Sequence, residues 1–503
     1  MRWLAAAPLM NYLDEHAKVR YMPRKWQILL IVSLGAFMGS LDIFIVNFAF
    51  PAIQHDFSGT SLSALSWVLN GYAIVFAALL VPAGRIADRI GHRRAFFVGL
   101  LIFVAGSALC GVAVDPVMLV AARVAQAVGA ALITPTSLAL ILPVFPSSQR
   151  ALAVGVWSAV GAVAASIGPT VGGLLIQSSW RLVFFVNVPI GLICAIATLR
   201  FVPEVRDPNP GPRPDLAGAA LLALGIAALT LGIVEGASWG WRDLRTLGVL
   251  LSVIVLLATF VSRSIHHPSP VVDLSLLRVR SFVLACIGTM MIGAGLAAML
   301  LSNVLFLTTQ WGDSIVKAGL SITPGPMMAG IFAILGGRLA SRVEPRRLST
   351  IGAVAFGAGA TWWIVFAGQH PDYLLGMLPG MVLAGVGVGL TWTPLTTLAA
   401  AALPVERSAT GLAVLNMARQ IGTALGVAIL VAILGTPAPR VSLTLFQHGW
   451  IFMVAVAVLD GIAVRALRPT LPRSSGEMRR TYSPATDMRK NTAQPAIPVE
   501  ARR

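Results

Sequence analysis

Charged residues are scarce in this chain of 503 residues, at 11%, while hydrophobic residues make up 57%. Soluble proteins contain about 25% charged residues. Water cannot solvate so apolar a surface, and lipid is the solvent that remains. The composition therefore excludes a soluble protein and predicts an integral membrane protein.

Lysine is also scarce, which excludes a nucleotide-driven pump of the P-loop type. A P-loop places a Gly-Lys pair before Ser or Thr, because the lysine reaches the phosphates. None of the four lysines follows a glycine: Lys18, Lys25, Lys317 and Lys490. We expect no cofactor, no metal and no enzymatic activity, so that an ion gradient remains as the source of energy.

Few cysteines are present, and the positive charge of the chain is not arranged for nucleic acid. Cys110, Cys194 and Cys286 each lie in an apolar run, where they fill space and cannot form a disulfide framework. The net charge of +17 comes from arginines clustered between apolar runs, without an aromatic-interleaved basic module. Basic residues placed in this way set membrane orientation, so we expect no nucleic-acid partner.

Apolar runs are what the sequence has in abundance. A helix needs about 20 apolar residues to cross about 30 Å of hydrocarbon. The runs predict an all-α integral membrane fold with spans at residues 28–50, 62–84, 95–113, 117–143, 153–175, 182–202, 216–236, 246–262, 282–307, 318–336, 349–367, 374–396, 410–434 and 448–467.

Lysine and arginine are distributed unevenly between the two sides of these fourteen spans. One side has five in its loops: Arg181, Arg242, Arg245, Lys317 and Arg440. Arg123 and Arg419 lie inside spans, and the others lie on or next to the opposite side. Loops rich in Lys and Arg stay in the cytoplasm. We therefore predict a multi-pass protein of the cell inner (plasma) membrane with both termini cytoplasmic.

Two segments recur at a nearly constant offset, which predicts two homologous halves. Gly84–Arg89 follows the second span and Gly337–Arg342 the tenth, while Arg150 precedes the fifth and Arg407 the thirteenth. Such halves enclose a substrate site near mid-membrane. The predicted organisation is a cytoplasmic lead-in at 1–26, six-helix bundles at 27–202 and 264–467, a two-helix insert at 203–263 and a disordered cytoplasmic tail at 468–503.

Asp42 and Arg123 are ionisable residues inside predicted spans, where each costs about 2.5–3.5 kcal/mol to insert. At about 1.5 Å per residue, Asp42 lies about 12 Å and Arg123 about 9 Å from the outer ends of their spans. Burial favours the protonated carboxylate and a nearby arginine favours the ionised one. That competition suits a group that loads and releases a proton; a static ion pair is the alternative.

Three other polar positions lie inside or at the ends of spans. Asn416, Arg419 and Gln420 share one face of the thirteenth span, where they either line a cavity or join helices. Glu235, at the end of the seventh span, and Asp460, in the fourteenth, are expected to lie at the membrane interface and reach towards water.

Six short motifs, in order, resemble those of the major facilitator superfamily, specifically its fourteen-helix drug:proton antiporters. The resemblance covers roughly residues 27–467, with Ala127 where the family usually has glycine. The motifs are Leu41-Asp42 with Asn47 and Pro51, the loop segment Gly84–Arg94, Arg123 through Gly129, Gly161 through Gly173, Trp180-Arg181 with Asn187 through Gly191, and Asn416 through Gly422.

The resemblance implies roles for four of these motifs. Asp42 and Arg123 would couple proton and substrate. The loop after the second span would control the cytoplasmic gate between the halves through Gly84, Asp88, Arg89, Gly91 and Arg93. The antiporter motif would permit close packing and a kink in the fifth span through Gly168, Pro169, Gly172 and Gly173.

These observations predict a secondary transporter that exports small amphipathic drugs, dyes or antibiotics in exchange for protons by alternating access. Its expected partners are the small-molecule substrate, protons and the lipid bilayer. We expect a monomer, with a periplasmic adaptor left open for an organism with two membranes. The alternatives are a dedicated exporter of an endogenous metabolite or self-made antibiotic and, from another class, a membrane receptor or scaffold that does not transport.

Overall fold

The computed structural model describes residues 23–206, 212–340, 342–403, 405–435 and 442–467. The predicted tail at 468–503, most of the predicted lead-in and Arg440 lie outside these ranges. Helices are the regular elements of the described ranges, as predicted. They belong to one compact unit.

Within these ranges, sixteen α-helices form fourteen segments that are long and apolar enough to cross a membrane. Their bounds are α1 Arg24–Asp56, α2 Leu62–Ile90, α3 His92–Gly111, α4 Pro116–Ile141, α5 Ser147–Ile176, α6 Leu182–Phe185, α7 Asn187–Phe201, α8 Leu216–Trp239, α9 Leu244–His266, α10 Arg280–Thr309, α11 Ile315–Ile322, α12 Pro324–Leu339, α13 Pro345–Phe366, α14 Leu378–Ala401, α15 Val405–Leu434 and α16 Leu443–Arg465. The sixth span joins α6 to α7, and the tenth joins α11 to α12.

Several helices extend past the predicted spans by more than four residues. The first was predicted at 28–50 but runs from Arg24 to Asp56, and the fifth was predicted at 153–175 but begins at Ser147. Hydropathy marks only the lipid-embedded part of a helix, whereas backbone hydrogen bonds continue into polar flanks. The tenth span breaks before Pro324, whose missing N–H is tolerated at a helix start.

The two ends of the helix bundle are defined by the path of the chain. Fourteen crossings place Pro23 and Leu467, the first and last described residues, at the same end, which we call the proximal end. Phe57, Asp115 and Trp180 lie in turns at the opposite, distal end.

The helices pack as two groups, α1–α7 and α10–α16, which meet along three lines. Helix α2 packs on α15, α1 packs on α10, and α5 packs on α11 and α12. Helix α8 lies against both α2 and α15, and α9 packs on α8. The helices that carry Asp42, Arg123 and Arg419 therefore belong to the two groups that face each other.

Asp215 fastens the start of α8 to the end of α9. Its buried carboxylate accepts hydrogen bonds from the Gly218 amide at 2.8 Å and from Arg263 Nε at 2.7 Å. Burial opposes ionisation of this group, but the hydrogen bonds from Gly218 and Arg263 outweigh it and lower its pKa. Asp215 is thus both a helix cap and one half of an ion pair.

Replacing Asp215 with alanine is expected to lower the thermal unfolding temperature of the purified protein at pH 7, since losing a helix cap costs about 1 kcal/mol and an ion pair is lost with it. A depressed pKa stabilises the fold above the unfolded pKa of about 3.9, and this contribution disappears as pH falls through the folded value. The difference from the native protein is therefore expected to shrink below about pH 4. Asp243→Ala, which removes a cap that bonds only the Arg245 amide, is the control and is expected to lose less stability. A difference independent of pH would contradict this account.

Candidate functional site

A buried ion pair joins the first and fourth spans. Asp42 of α1 is 0% exposed and Arg123 of α4 is 1% exposed. Arg123 Nη1 lies 2.5 Å from Asp42 Oδ2. The two residues that sequence analysis placed at similar depths are thus in direct contact. Their proton-coupling role remains a prediction.

Two amide side chains hold the other oxygen of Asp42. Gln126 Nε2 donates to Asp42 Oδ1 at 2.8 Å, and Asn187 Nδ2 donates to the same oxygen at 3.1 Å. Both amides also donate to Ser107 Oγ, which in turn donates to the Phe184 carbonyl. The carboxylate therefore has three donors from two other helices, which fix its position.

Arg123 is held by more than its partner carboxylate. Its Nε donates to the Val68 carbonyl at 3.1 Å, and its Nη1 donates to Gln126 Oε1 at 2.6 Å. Its guanidinium lies 4.1 Å from the centre of the Tyr72 ring, in cation–π geometry. Because these contacts do not depend on Asp42, Arg123 has partners in place when the carboxylate is neutral.

The stability of this buried pair depends on the hydrogen bonds around it. Removing two charges from water can cost more free energy than their Coulomb attraction returns. A buried ion pair is stable when hydrogen bonds satisfy its remaining polar atoms. Both partners of this pair have such hydrogen bonds, so the pair is held in place inside the protein.

Gln126, Asn187 and Ser107 complete the site, although sequence analysis named none of them as functional. Gln126 and Asn187 stood in quoted motifs, and all three are fully buried polar side chains within apolar spans. Buried polar groups require partners. The spacing of Gln126, three residues after Arg123 and on the same helix face, was the available signal.

Arg419, on α15 in the other group, lies against an aromatic ring. Its guanidinium is 4.3 Å from the centre of the Trp392 ring of α14. Gln420 is 2% exposed, whereas Asn416 is partly buried and donates to the Leu412 carbonyl of its own helix. Asn416, Arg419 and Gln420 share one helix face but thus have different surroundings, and Arg419 is the charged residue of the three.

The loop after the second span is fastened within its own group of helices. Gly91 links α2 to α3 with a φ of 101°, a conformation that favours glycine. Arg93 N donates to Glu204 Oε1 at 3.0 Å, and Arg206 donates to the Arg89 carbonyl. Asp88 lies 3.4 Å from His92. Glu204 and Arg206 follow α7, so the end of the sixth span positions this loop.

Charges at the proximal end also connect the loop region to the second group. Asp273, before α10, accepts a hydrogen bond from the Ser275 amide at 2.9 Å and lies 4.0 Å from Arg407 Nη1 at the start of α15. Burial opposes its ionisation, but bonds from Ser275 and the charges of Arg407 and Arg85 lower its pKa. Arg85 belongs to the predicted gate loop, so its field reaches across the two groups.

The glycines of the antiporter motif face two different helices. A methyl group on Gly168 or Gly172 would lie 2.9 Å from the Phe44 or Ile45 side chain of α1. Gly173 instead faces α11, where a methyl group would lie 3.0 Å from the Cα of Val316. Close approach of α5 to both helices therefore requires these small residues.

Contacts between α5 and α11–α12 join the two groups near the distal end, and we call them the distal seam. A methyl group on Gly319 would lie 2.6 Å from the Pro169 carbonyl oxygen. The hydroxyls of Thr170 and Thr323 lie 2.9 Å apart. Helix α5 thus reaches the second group through its backbone, at Pro169 and Gly173.

The prediction that Asp460 reaches towards water is wrong. The residue is 1% exposed, and neither carboxylate oxygen has a hydrogen-bond partner within the described ranges. Gly288 of α10 makes room for it, since a methyl group there would lie 2.8 Å from Asp460 Oδ1. The hydropathy pattern predicted how far along its span Asp460 lies, but not which side of α16 carries it relative to the other helices. The packing of α16 on α10 determines that side.

Glu235 is partly buried near the end of α8, where Ser63 and Ser238 donate to its carboxylate.

Gly236, Ser238 and Gly240 have the spacing of a hydrolase nucleophile elbow. That elbow needs a strand before the serine, whereas Ser238 lies in the last turn of a helix. The spacing therefore carries no indication of hydrolase activity.

Comparison with known proteins finds relatives over most of the chain. Residues 32–427 match the model of the Major Facilitator Superfamily. The multidrug resistance protein Stp of Mycobacterium tuberculosis is 34% identical over 422 residues, covering 84% of this chain and 77% of that protein. The tetracenomycin C resistance and export protein of Streptomyces glaucescens is 32% identical over 427 residues, covering 83% and 78%.

Solved structures share the fold. The inward-facing, unoccupied structure of a bacterial homologue of the human lysosomal transporter Spinster gives a TM-score of 0.64, with 18% identity, over 88% of this chain and 96% of that one. At this identity the likeness is one of fold alone. It agrees with the predicted all-α membrane architecture.

The extent of the family match and the identity of the two relatives confirm the resemblance noted in the motifs. They identify a multi-pass membrane transporter, in keeping with the predicted absence of enzymatic activity. The chain belongs to the Major Facilitator Superfamily.

Proposed function

We propose that this protein exports small amphipathic compounds in exchange for protons, across the cell inner membrane and with its proximal end in the cytoplasm. The names of both relatives refer to resistance, and the name of the Streptomyces glaucescens protein also refers to export. The excess of arginine at the proximal end supports the orientation, because basic loops stay in the cytoplasm.

The observation that carries the proposal is the buried pair of Asp42 and Arg123. An ionisable group in a span persists only with a partner or a function. The Asp42 carboxylate contacts one cation and two side-chain amides, and the residue is 0% exposed. Such a carboxylate is suited to carry a proton between the two sides of the membrane when the surrounding helices rearrange.

The mechanism that this geometry supports is alternating access. The distal seam joins the two groups near that end through Gly173, Gly319 and the two threonine hydroxyls, and it would have to separate for the distal end to open. Proton loading on Asp42 weakens the hold of α1 on α4, since the attraction to Arg123 is lost. Substrate and proton then compete for the same rearrangement. A membrane potential of 100 mV supplies about 2.3 kcal/mol per proton. That free energy supports about a 50-fold concentration gradient of a neutral substrate.

A dedicated exporter of one endogenous metabolite is the second candidate. It is favoured by the relative named for resistance to and export of tetracenomycin C, a single compound. The two candidates share the mechanism and differ in the number of compounds they accept. A receptor or scaffold predicts no transport of any compound.

Transport by reconstituted vesicles tests the proposal. The protein is inserted into proteoliposomes with a pH-sensitive dye inside, and a panel of dyes and antibiotics is added under an imposed pH gradient. We expect uphill movement of several compounds, each accompanied by proton flux in the opposite direction. Movement of one compound alone favours the dedicated exporter. Compound movement without proton flux contradicts proton coupling, and no movement supports the receptor.

A further inference from the structure

Arg419, like Arg123, is an arginine that lies inside a membrane span. No ion pair involves Arg419 among the residues that the structure describes, and its Nε is buried without a hydrogen-bond partner. This contrasts with Arg123, whose charge is balanced by Asp42. A guanidinium within a span that has no counter-charge and whose buried Nε has no hydrogen bond is costly. An ionisable residue inside a span indicates a functional site.

The orientation of Arg419 is fixed by its neighbours. Its guanidinium stacks on Trp392 at 4.3 Å, and its backbone packs on Gly293 of α10, where a methyl group would lie 2.5 Å from the Arg419 carbonyl oxygen. Stacking holds the plane of a guanidinium but uses none of its N–H groups. The donors at its edge therefore remain available.

A second unpartnered donor lies on a helix of the other group that packs on α15. The Tyr72 hydroxyl on α2 is buried and has no hydrogen-bond partner among the described residues, while the Tyr72 ring stacks on Arg123. Tyr72 and Arg419 are close enough to interact electrostatically, and α2 packs on α15. Two groups that can donate hydrogen bonds, one from each half, thus lack acceptors among the described residues.

Asp460 does not supply the missing charge. It packs at Gly288 of α10, whereas Arg419 packs at Gly293 of the same helix. Five residues turn an α-helix by about 140°, so the two charged residues lie on different sides of α10. Within the described chain, the acceptor that Arg419 lacks is thus not provided by this carboxylate.

We propose that Arg419 and Tyr72 form a subsite for an acidic group of the exported compound, such as a carboxylate, phenolate or sulfonate, with Trp392 lying along the adjoining aromatic part. This inference rests on the proposed export function and narrows its substrate class. An oxyanion accepts a charge-assisted hydrogen bond from Arg419 and a second bond from Tyr72. Because these residues belong to different halves, the bound acid would bridge them.

Two probes with one ring system test the subsite. 1-Anilinonaphthalene-8-sulfonate carries a sulfonate, and N-phenyl-1-naphthylamine lacks it. Their binding to the protein in neutral-lipid nanodiscs is measured by equilibrium dialysis, with empty nanodiscs as the blank. We expect the sulfonate to bind about 10- to 100-fold more tightly than the neutral probe, the range for hydrogen bonds to charged groups.

Variants connect that preference to the subsite. Arg419→Gln is expected to abolish the preference with little effect on the neutral probe, and Arg419→Lys to preserve part of it, since lysine keeps the charge but not the fork of donors. Tyr72→Phe is expected to reduce it less. Arg280→Gln, which removes a charge at the proximal start of α10, is the matched control and is expected to keep the full preference.

The outcomes separate this inference from the proposed function. Equal binding of both probes by the native protein, or a preference that survives in Arg419→Gln, overturns the acidic subsite even if proton-coupled export is observed. Failure of proton coupling in the vesicle assay overturns the proposed function while leaving the binding result to be judged separately. Loss of all binding by Arg419→Gln would be assessed with Arg419→Lys, which must then bind the sulfonate for the subsite to stand.

Discussion

Replacing Asp42 with asparagine is expected to reduce proton-coupled export to the level of vesicles without protein. Asparagine has nearly the shape of aspartate and offers one oxygen to the donors Gln126 and Asn187. It cannot carry a proton on and off at physiological pH. Binding of compounds is expected to persist, because only the coupling carboxylate is lost. Uphill efflux and proton flux in proteoliposomes are the measurements.

The Asp42→Asn variant leaves Arg123 as a buried charge without its counter-ion, and such loss costs about 3–5 kcal/mol. The thermal unfolding temperature must therefore be measured beside transport. The double variant with Arg123→Gln removes the pair as a unit and is expected to recover stability without recovering transport. Asp115→Asn is the matched control, since Asp115 caps α4 by accepting from the Met118 amide, a role that asparagine also performs. Undiminished proton flux in Asp42→Asn would exclude this residue as the coupling group.

Gly319→Val is expected to stop transport by holding the distal end open. Even a methyl group at Gly319 would lie 2.6 Å from the Pro169 carbonyl oxygen, and a backbone atom of α5 cannot move aside as a flexible side chain can. The distal seam therefore cannot close, and the balance shifts to the state that is open at that end. We expect export to fall to background while the thermal unfolding temperature changes by only a few degrees.

Thiol labelling detects this shift directly. A cysteine replacing Thr170, whose hydroxyl meets that of Thr323 in the seam, is expected to react slowly with a membrane-impermeant reagent added at the distal side. In the Gly319→Val background it is expected to react at least about tenfold faster, as a population shift of about 1.4 kcal/mol would produce. Gly248→Val is the matched control, because nothing lies within 4 Å of a methyl group at Gly248. Normal transport by Gly319→Val would show that the seam does not open during the cycle.

The sequence predicted the fold because the membrane leaves few alternatives. Every backbone group in lipid must be bonded internally, so apolar runs of sufficient length become helices. Fourteen such helices were expected, and fourteen are present in the part of the chain that the structure describes. Depth along a span also follows from residue counting, since the rise of a helix is fixed. The contact of Asp42 with Arg123 agrees with depths counted in this way.

Direction around a helix axis could not be predicted in the same way. Asp460 was expected at the interface and is enclosed by α10, because tertiary packing decides which side of α16 is buried. The partners of the gate loop were missed for a similar reason. Glu204 is about 110 residues from Arg93, and only the fold brings the end of the sixth span to that loop.

The position of α8 has a consequence for the route by which cargo enters. Helix α8 lies along the line where α2 meets α15 and belongs to neither group. It covers that line, so we expect that a compound dissolved in the bilayer does not enter between the two groups there. Lateral entry from lipid would then use the opposite flank, where α5 and α12 meet, so that the two extra helices leave one lateral entrance instead of two.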